Sequence, residues 1–428
     1  MSHEFGPGEY VKSYRETNHH NSYYDRTATS SMVEYRPLGD EHRDVFFEYT
    51  KYAFGPESGP VEYDPDEHES EQTSLGERRG LFDGSDDPRC VCLHYWFESL
   101  VRGEWHSAPG LSAVASPPEN RREGYVGQLL AHSLEEYRSR GARFSLLWPF
   151  RTSFYRQFGW DTCASHRVYS CEPSVLSFAR TDAGRYRPVE ADEYRVLEPA
   201  YETFSRRYAL PVGRDENWWR HRVFSMWDSD PYVYAWERNG DVRGYLVYTV
   251  EGDWDDRTMK VRELVFADHD ALLALCAYCA NHDSQVSAVE FTLPTDIDLL
   301  DVVPDPEELD CEVKTGAMAR IVDVPEALSA VQYPDVDADV TLSVDDSVAD
   351  WNGGTYRLGV EDGTGTCESH PAEDADATLG VGALTQLVVG YRTAGDLERT
   401  GRIDASSEAV ATLDCLFPRV ETFLVTRF

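Results

Sequence analysis

Basic side chains are scarce in this chain: 40 Lys and Arg stand against 77 Asp and Glu among 428 residues, a formal net charge of −37. That imbalance excludes nucleic acid and anionic membrane surfaces as partners, because long-range repulsion opposes the encounter. Also missing are any apolar run near the roughly 18 residues that span a bilayer and any signal-peptide pattern, so a reducing cytoplasm is the expected compartment. The nine cysteines are scattered. Cys276-x-x-Cys279 has no second such pair to complete a zinc site, so these read as buried thiols and no metal is expected.

Disorder would also explain acidity, but 41% hydrophobic and 12% aromatic content is too high for a mostly disordered chain. We read the charge as adaptation of a folded protein to high salt, where screening relieves self-repulsion. Its melting temperature should hold or rise as KCl approaches molar levels, and a fall would count against the reading.

The length allows two or three domains. Residues 1–31 lack periodicity and read as a disordered extension, with His19-His20 an adventitious pair. A short alternating strand at 32–38 and a helix carrying Phe46, Phe47, Tyr52 and Phe54 open the first unit. Residues 59–87, acidic and rich in turns, read as a solvated loop. Strands are expected at 90–97 and 111–115. The second unit begins near Tyr186, with an apolar helical face from Val196 to Tyr208 and a hairpin about Asn239-Gly240, where both turn positions accept positive φ. A buried helix at 271–280 and a strand at 288–293 complete it. The third unit runs from a strand at Met318 into a helix begun by Pro325, with strands at 340–344 and 355–358 and helices near Leu384, Leu397 and Val410.

One stretch, residues 111–160, carries most of the chemistry. A short apolar run, 113–116, is ended by Pro117 and Pro118, which cannot donate to a sheet ladder. Val126, Leu129, Leu130, Leu134 and Tyr137 then fall at helical spacing, with Gly141 as a stop. Between them lie Arg121, Arg122, Gly124, Tyr125 and Val126, where unpaired N–H groups at a helix start and two guanidinium groups suit a pyrophosphate. Taken alone, this turn fits an ordinary solvated strand-turn-helix equally well. A strand at 144–148 follows, and then Phe154-Tyr155-Arg156-Gln157-Phe158-Gly159-Trp160, read as presenting an exposed tyrosine.

With those strings in place, the chain resembles the Gcn5-related N-acetyltransferase (GNAT) superfamily and, within it, the Eis-like (enhanced intracellular survival) acetyltransferases. In that family an R-R-x-G turn follows a V-x-V-x-P strand, and a Y-x-R-F-G-Y string follows the next strand. Val126 departs from the commonest superfamily string, Q/R-x-x-G-x-G/A, as it does in Eis-like proteins. The third unit, with Arg320-Ile-Val-Asp323, Gly390 and Gly401-Arg402-Ile403, resembles the family's sterol-carrier-protein-like domain.

The resemblance implies an α/β (α+β) fold: a GNAT lobe at 32–175 that binds acetyl-CoA, a degenerate GNAT-like lobe at 176–312, and a sterol-carrier-protein-like domain at 313–428. It implies that the cosubstrate meets Val114, Ala115 and Ser116 with its pantetheine arm, and Arg121, Arg122, Gly124, Tyr125 and Val126 with its pyrophosphate. Tyr155 falls where the family has its general acid, and the Phe428 carboxylate where it has its general base. The acceptor is implied to be a primary amine on a small molecule or a protein lysine, and the assembly a trimer or hexamer. Phe150 and Arg151 stand where many members have Ser-Glu, and Arg427 where a mycobacterial member has glutamate. Both changes make the acceptor pocket less acidic and weigh against polycationic aminoglycosides. A non-catalytic acyl-CoA- or lipid-binding protein using the carrier-like domain is the alternative.

Overall fold

The computed structural model describes residues 33–69, 71–179, 184–225, 230–254, 256–371 and 374–428. The expected extension at 1–31, with His19 and His20, lies outside them. Three sheets organise the chain, two of seven strands and one of five, with a separate two-stranded hairpin.

In the first sheet the strands run Glu34–Pro37, Glu77–Phe82, Cys90–Tyr95, Gly110–Ala115, Phe144–Leu147, Met318–Ile321 and Asp161–Thr162. Its parallel pair is Gly110–Ala115 with Phe144–Leu147. The helix Tyr125–Ser139 makes the crossover between them, burying Leu129, Leu130, Leu134 and Tyr137 against the sheet. Its Glu136 accepts from Arg79 Nε at 2.8 Å and Tyr35 Oη at 2.7 Å. Burial alone would raise this carboxyl, but those donors hold it at about 2.

Residues 59–87 correct the loop expectation. Glu77–Phe82 is an internal strand of the sheet, and Arg79 through Phe82 are buried in it. The charges of Glu77, Arg78 and Arg79 hide the strand in the sequence, and the buried Arg79 is neutralised by Glu77 beside it and by Glu136 on the distant helix.

The second sheet runs Arg185–Pro188, Tyr232–Arg238, Asp241–Glu251, Thr258–Phe266, Ala288–Pro294, Ser165–Cys171 and Asp310–Thr315. It repeats the plan of the first, with its own parallel pair, Thr258–Phe266 with Ala288–Pro294. Asn239 and Gly240 turn its hairpin at φ 55° and 93°, as the dipeptide requires.

These sheets cross the expected segment limits. Ser165–Cys171 belongs to the second sheet, and Met318–Ile321 closes the first. The hairpin of Glu98–Val101 and Glu104–Ser107 also reaches the second lobe, where Leu100 N donates to Pro211 O at 2.9 Å and Leu210 N to Leu100 O at 2.8 Å.

The third sheet, Thr364–Ser369, Gly354–Glu361, Ala338–Asp345, Ala377–Gly380 and Ile403–Ala405, is fastened to the first by a buried ion pair, Arg320 Nη2 to Asp346 Oδ2 at 2.5 Å. Cys276 and Cys279 are buried in the helix His269–Ala280 with both thiols pushed up by burial, and the nine cysteines are all free. Among the described residues no helix is long and apolar enough to cross a membrane.

Candidate active site

The parallel strands of the first sheet pair only at Gly110 with Leu146 and Leu111 with Leu147, and then diverge. Two local features cause this. Pro149 follows Trp148 and ends pairing on one side. On the other, Gly110–Ala115 carries a bulge, with Val91 opposite Ala115 but Leu93 opposite Ser112, and Ala113 takes φ 49°. A bulge bends its strand and re-aims the backbone beyond it. Ser112, Ala113 and Val114 are consequently half-buried on an edge that faces the gap.

The proposed phosphate turn lies at the end of this edge. Gly124 caps the helix Tyr125–Ser139 at φ 86° with no side-chain cap, so the first-turn N–H groups keep their capacity for an anion. Arg121 and Arg122 are exposed there. Arg121 Nε donates to Ser116 O at 3.0 Å, and its guanidinium lies 5.4 Å from the Tyr52 ring centroid. Tyr125 donates to Asp83 Oδ2 at 3.0 Å, and Arg89 foremost holds that carboxyl down at about 2. Ser116 is buried, with its hydroxyl donating to Arg89 O at 3.1 Å. Its hydrogen-bonding groups thus brace the turn, while Ala113 and Val114 offer the accessible backbone.

Tyr155 corrects the exposed-tyrosine expectation, being 4% exposed in a cluster with Cys92, Leu111 and Leu147. Burial pushes its phenol up, so it holds its proton at neutral pH. Phe150, 67% exposed, lies edge-on to it at 5.7 Å between ring centroids, and Arg151 beside Phe150 is exposed.

The chain terminus arrives on the other face of the same strand pair. Successive strand residues point to opposite faces: Leu111 and Leu147 pack with Tyr155, whereas Gly110 faces Phe97 and Phe428. A Cβ at position 110 would lie 2.7 Å from Phe428 Cε2 and 2.8 Å from Phe97 Cε2, so only glycine admits the terminal ring. Phe428 also meets the Tyr95 ring at 5.9 Å and the Phe97 ring at 5.1 Å.

Both lobes hold this tail. Phe423 N donates to Ala209 O at 3.0 Å, and Trp148 Nε1 donates to Thr426 O at 3.1 Å. Arg222 Nη2 donates to Arg427 O at 3.3 Å. Arg214, its side chain buried, binds Glu263 through Nη1 at 3.0 Å and Nη2 at 2.7 Å, and its Nη2 also reaches Thr426 Oγ1 at 2.7 Å. Glu263 stands where the parallel pairing of the second sheet has stopped, after Val261 with Phe291. The second lobe thus brings to its own strand divergence a residue that grips the chain terminus through Arg214. Sequence reasoning missed Arg214, Glu263, Trp148 and Arg222. Arg214 and Glu263 lie 49 positions apart, and no local pattern links them.

Comparison with known proteins agrees with this architecture. Residues 34–163 and 210–321 each match a family described as acetyltransferase (GNAT) domain, and residues 324–425 match the sterol carrier protein domain. No curated protein matches the sequence. Among solved structures, a GCN5-related N-acetyltransferase from Anabaena variabilis ATCC 29413 is 20% identical with TM-score 0.80, covering 92% of this chain and 100% of that one. A probable N-acyltransferase from Enterococcus faecalis V583 is 20% identical with TM-score 0.82, covering 92% and 100%. Eis1 from Mycobacterium abscessus is 24% identical with TM-score 0.74, covering 92% and 100%. At these identities the likeness is one of fold.

Proposed function

From a chain that is a GNAT acyltransferase of two tandem lobes and a sterol carrier domain, with acetyl-CoA as cosubstrate, we propose an Eis-like N-acetyltransferase acting on a primary amine, with Tyr155 as general acid and the Phe428 carboxylate as general base. One observation carries the reading. A buried, protonated phenol and the chain's terminal residue flank a single strand divergence from opposite faces.

The residues present suit the cosubstrate. Ala113 and Val114 offer backbone to an amide-bearing arm, and Arg121, Arg122 and the uncapped helix start offer charge and N–H groups to a pyrophosphate. Acetyl-CoA supplies an acyl group on a thioester. The Phe428 carboxylate takes a proton from the acceptor ammonium, freeing the nitrogen lone pair for the carbonyl carbon. As the C–N bond forms and the C–S bond breaks, Tyr155 gives its proton to the departing sulfur, and the second proton of the new amide nitrogen returns to the tyrosinate, so that the one net proton leaves from the Phe428 carboxyl. The aromatic wall of Tyr95, Phe97 and Trp218 keeps water from the reacting pair.

Tyr155→Phe should lower turnover by roughly 10²-fold, the usual loss when a general acid is removed. Free-thiol release from acetyl-CoA measures it, and an unchanged rate would remove the role from Tyr155.

A further inference from the structure

Arg427 is the penultimate residue, and its guanidinium lies over the Trp148 ring at 4.9 Å, at the end of the strand whose divergence opens the site. It is exposed and, among the described residues, pairs with no carboxylate. Arg79, Arg214, Arg320 and Arg402, by contrast, all bind carboxylates. Its charged neighbours are of the same sign. Burial first, and then Arg427 and Lys314, depress the buried His166 to about 4, and partial burial of its guanidinium first, then Arg262, lower Arg427 itself. Arg262 and Lys314 have their own partners in Glu251 and Glu312. Arg427 has none.

The pattern recurs three positions beyond Trp148. Arg151, exposed and also without a carboxylate among the described residues, follows the exposed Phe150 that lies against Tyr155. Behind the terminus, Arg222 spends its donors on Tyr95 Oη at 3.0 Å and Arg427 O at 3.3 Å. Guanidinium and aromatic groups thus gather between Trp148 and Arg151 and at the terminus, in a chain of net charge −37.

We propose that the acceptor is an amine that also carries an oxyanion, a carboxylate or a phosphate, bound by Arg427 with Arg151 across the mouth, while Phe150 and Trp148 contact the spacer. This rests on the N-acetyltransferase reading and narrows its acceptor. A polycationic acceptor would bring like charges against Arg427 and Arg151. An oxyanion completes guanidinium donors that the protein leaves open, and planar two-point recognition of this kind is what arginine does best.

The experiment measures free-thiol release by the full chain with ethanolamine, β-alanine, O-phosphoethanolamine and spermidine. β-Alanine or O-phosphoethanolamine should exceed ethanolamine in kcat/KM by about tenfold or more, as a charge-assisted hydrogen bond warrants, and the better of the two identifies the oxyanion. Arg427→Glu should reverse that ratio and raise spermidine turnover, and Arg151→Glu should shift it the same way. The second variant keeps the test decisive if the first disturbs the tail. Spermidine or ethanolamine as the best wild-type acceptor, or a ratio unmoved by both variants, overturns the oxyanion acceptor while leaving the N-acetyltransferase intact. Release with no amine at all overturns both.

Discussion

Adding even one or two residues after Phe428 should abolish acetyl transfer while the melting temperature and elution volume stay at their wild-type values. This outcome follows from how the terminus is held. The tail bonds to Ala209, Trp148, Arg214 and Arg222 over residues 423–427, and the Phe428 ring fills a space that position 110 keeps open by having no Cβ. The tail therefore remains docked when the chain is extended. What disappears is the free carboxylate at Phe428, replaced by a neutral amide that takes up no proton at neutral pH. Loss of a positioned base costs about 10²- to 10⁴-fold. Free-thiol release compared with a thermal melt of the same sample decides it, and an extended chain with full turnover would sink the role of Phe428. A frayed terminus, the common case, would tolerate the addition.

Arg214→Met separates stability from positioning. Arg214 is 1% exposed and Glu263 12% exposed in their side chains, so the substitution leaves a buried carboxylate without its cation. Breaking such a pair from one side costs about 3–5 kcal/mol, read as a fall in the urea midpoint. Thr426→Val removes only the tail's hydroxyl and leaves the ion pair in place, so the fold should keep most of its stability while turnover falls. A double-mutant cycle between positions 214 and 426 then isolates their contact. If Thr426→Val has wild-type kcat, the pair serves the second lobe alone and does not position the terminus.

The grip of the second lobe on the tail also gives its strand divergence a purpose. In the first lobe the gap between diverging strands faces the uncapped helix start and two exposed arginines. In the second lobe a carboxylate, Glu263, stands beyond the last parallel pair and binds Arg214. An acid at that place opposes a pyrophosphate and recruits a cation, here one that serves the chain's own end.

Local sequence sufficed for several pieces: the helical spacing from Val126 to Tyr137, stopped by Gly141 at φ 75°; the Asn239-Gly240 hairpin; the buried helix expected at 271–280 and found at His269–Ala280; and the turn before the first of these helices. Each rests on periodicity or turn chemistry within a few residues. Three things were decided only by tertiary structure. The strand Glu77–Phe82 was masked because its buried Arg79 is accommodated by Glu136, 57 positions away, together with Glu77 beside it. The exchange of Ser165–Cys171 and Met318–Ile321 between sheets depends on edges that exist only once both lobes have formed. Finally, Tyr155 and Phe428, 273 positions apart, approach one strand pair because alternation along Gly110 and Leu111 sends neighbouring side chains to opposite faces. Pairing between distant charges and packing across a sheet leave no periodic trace along the chain, and for that reason the turn and helix after Pro118 were legible and the grip on the chain's end was not.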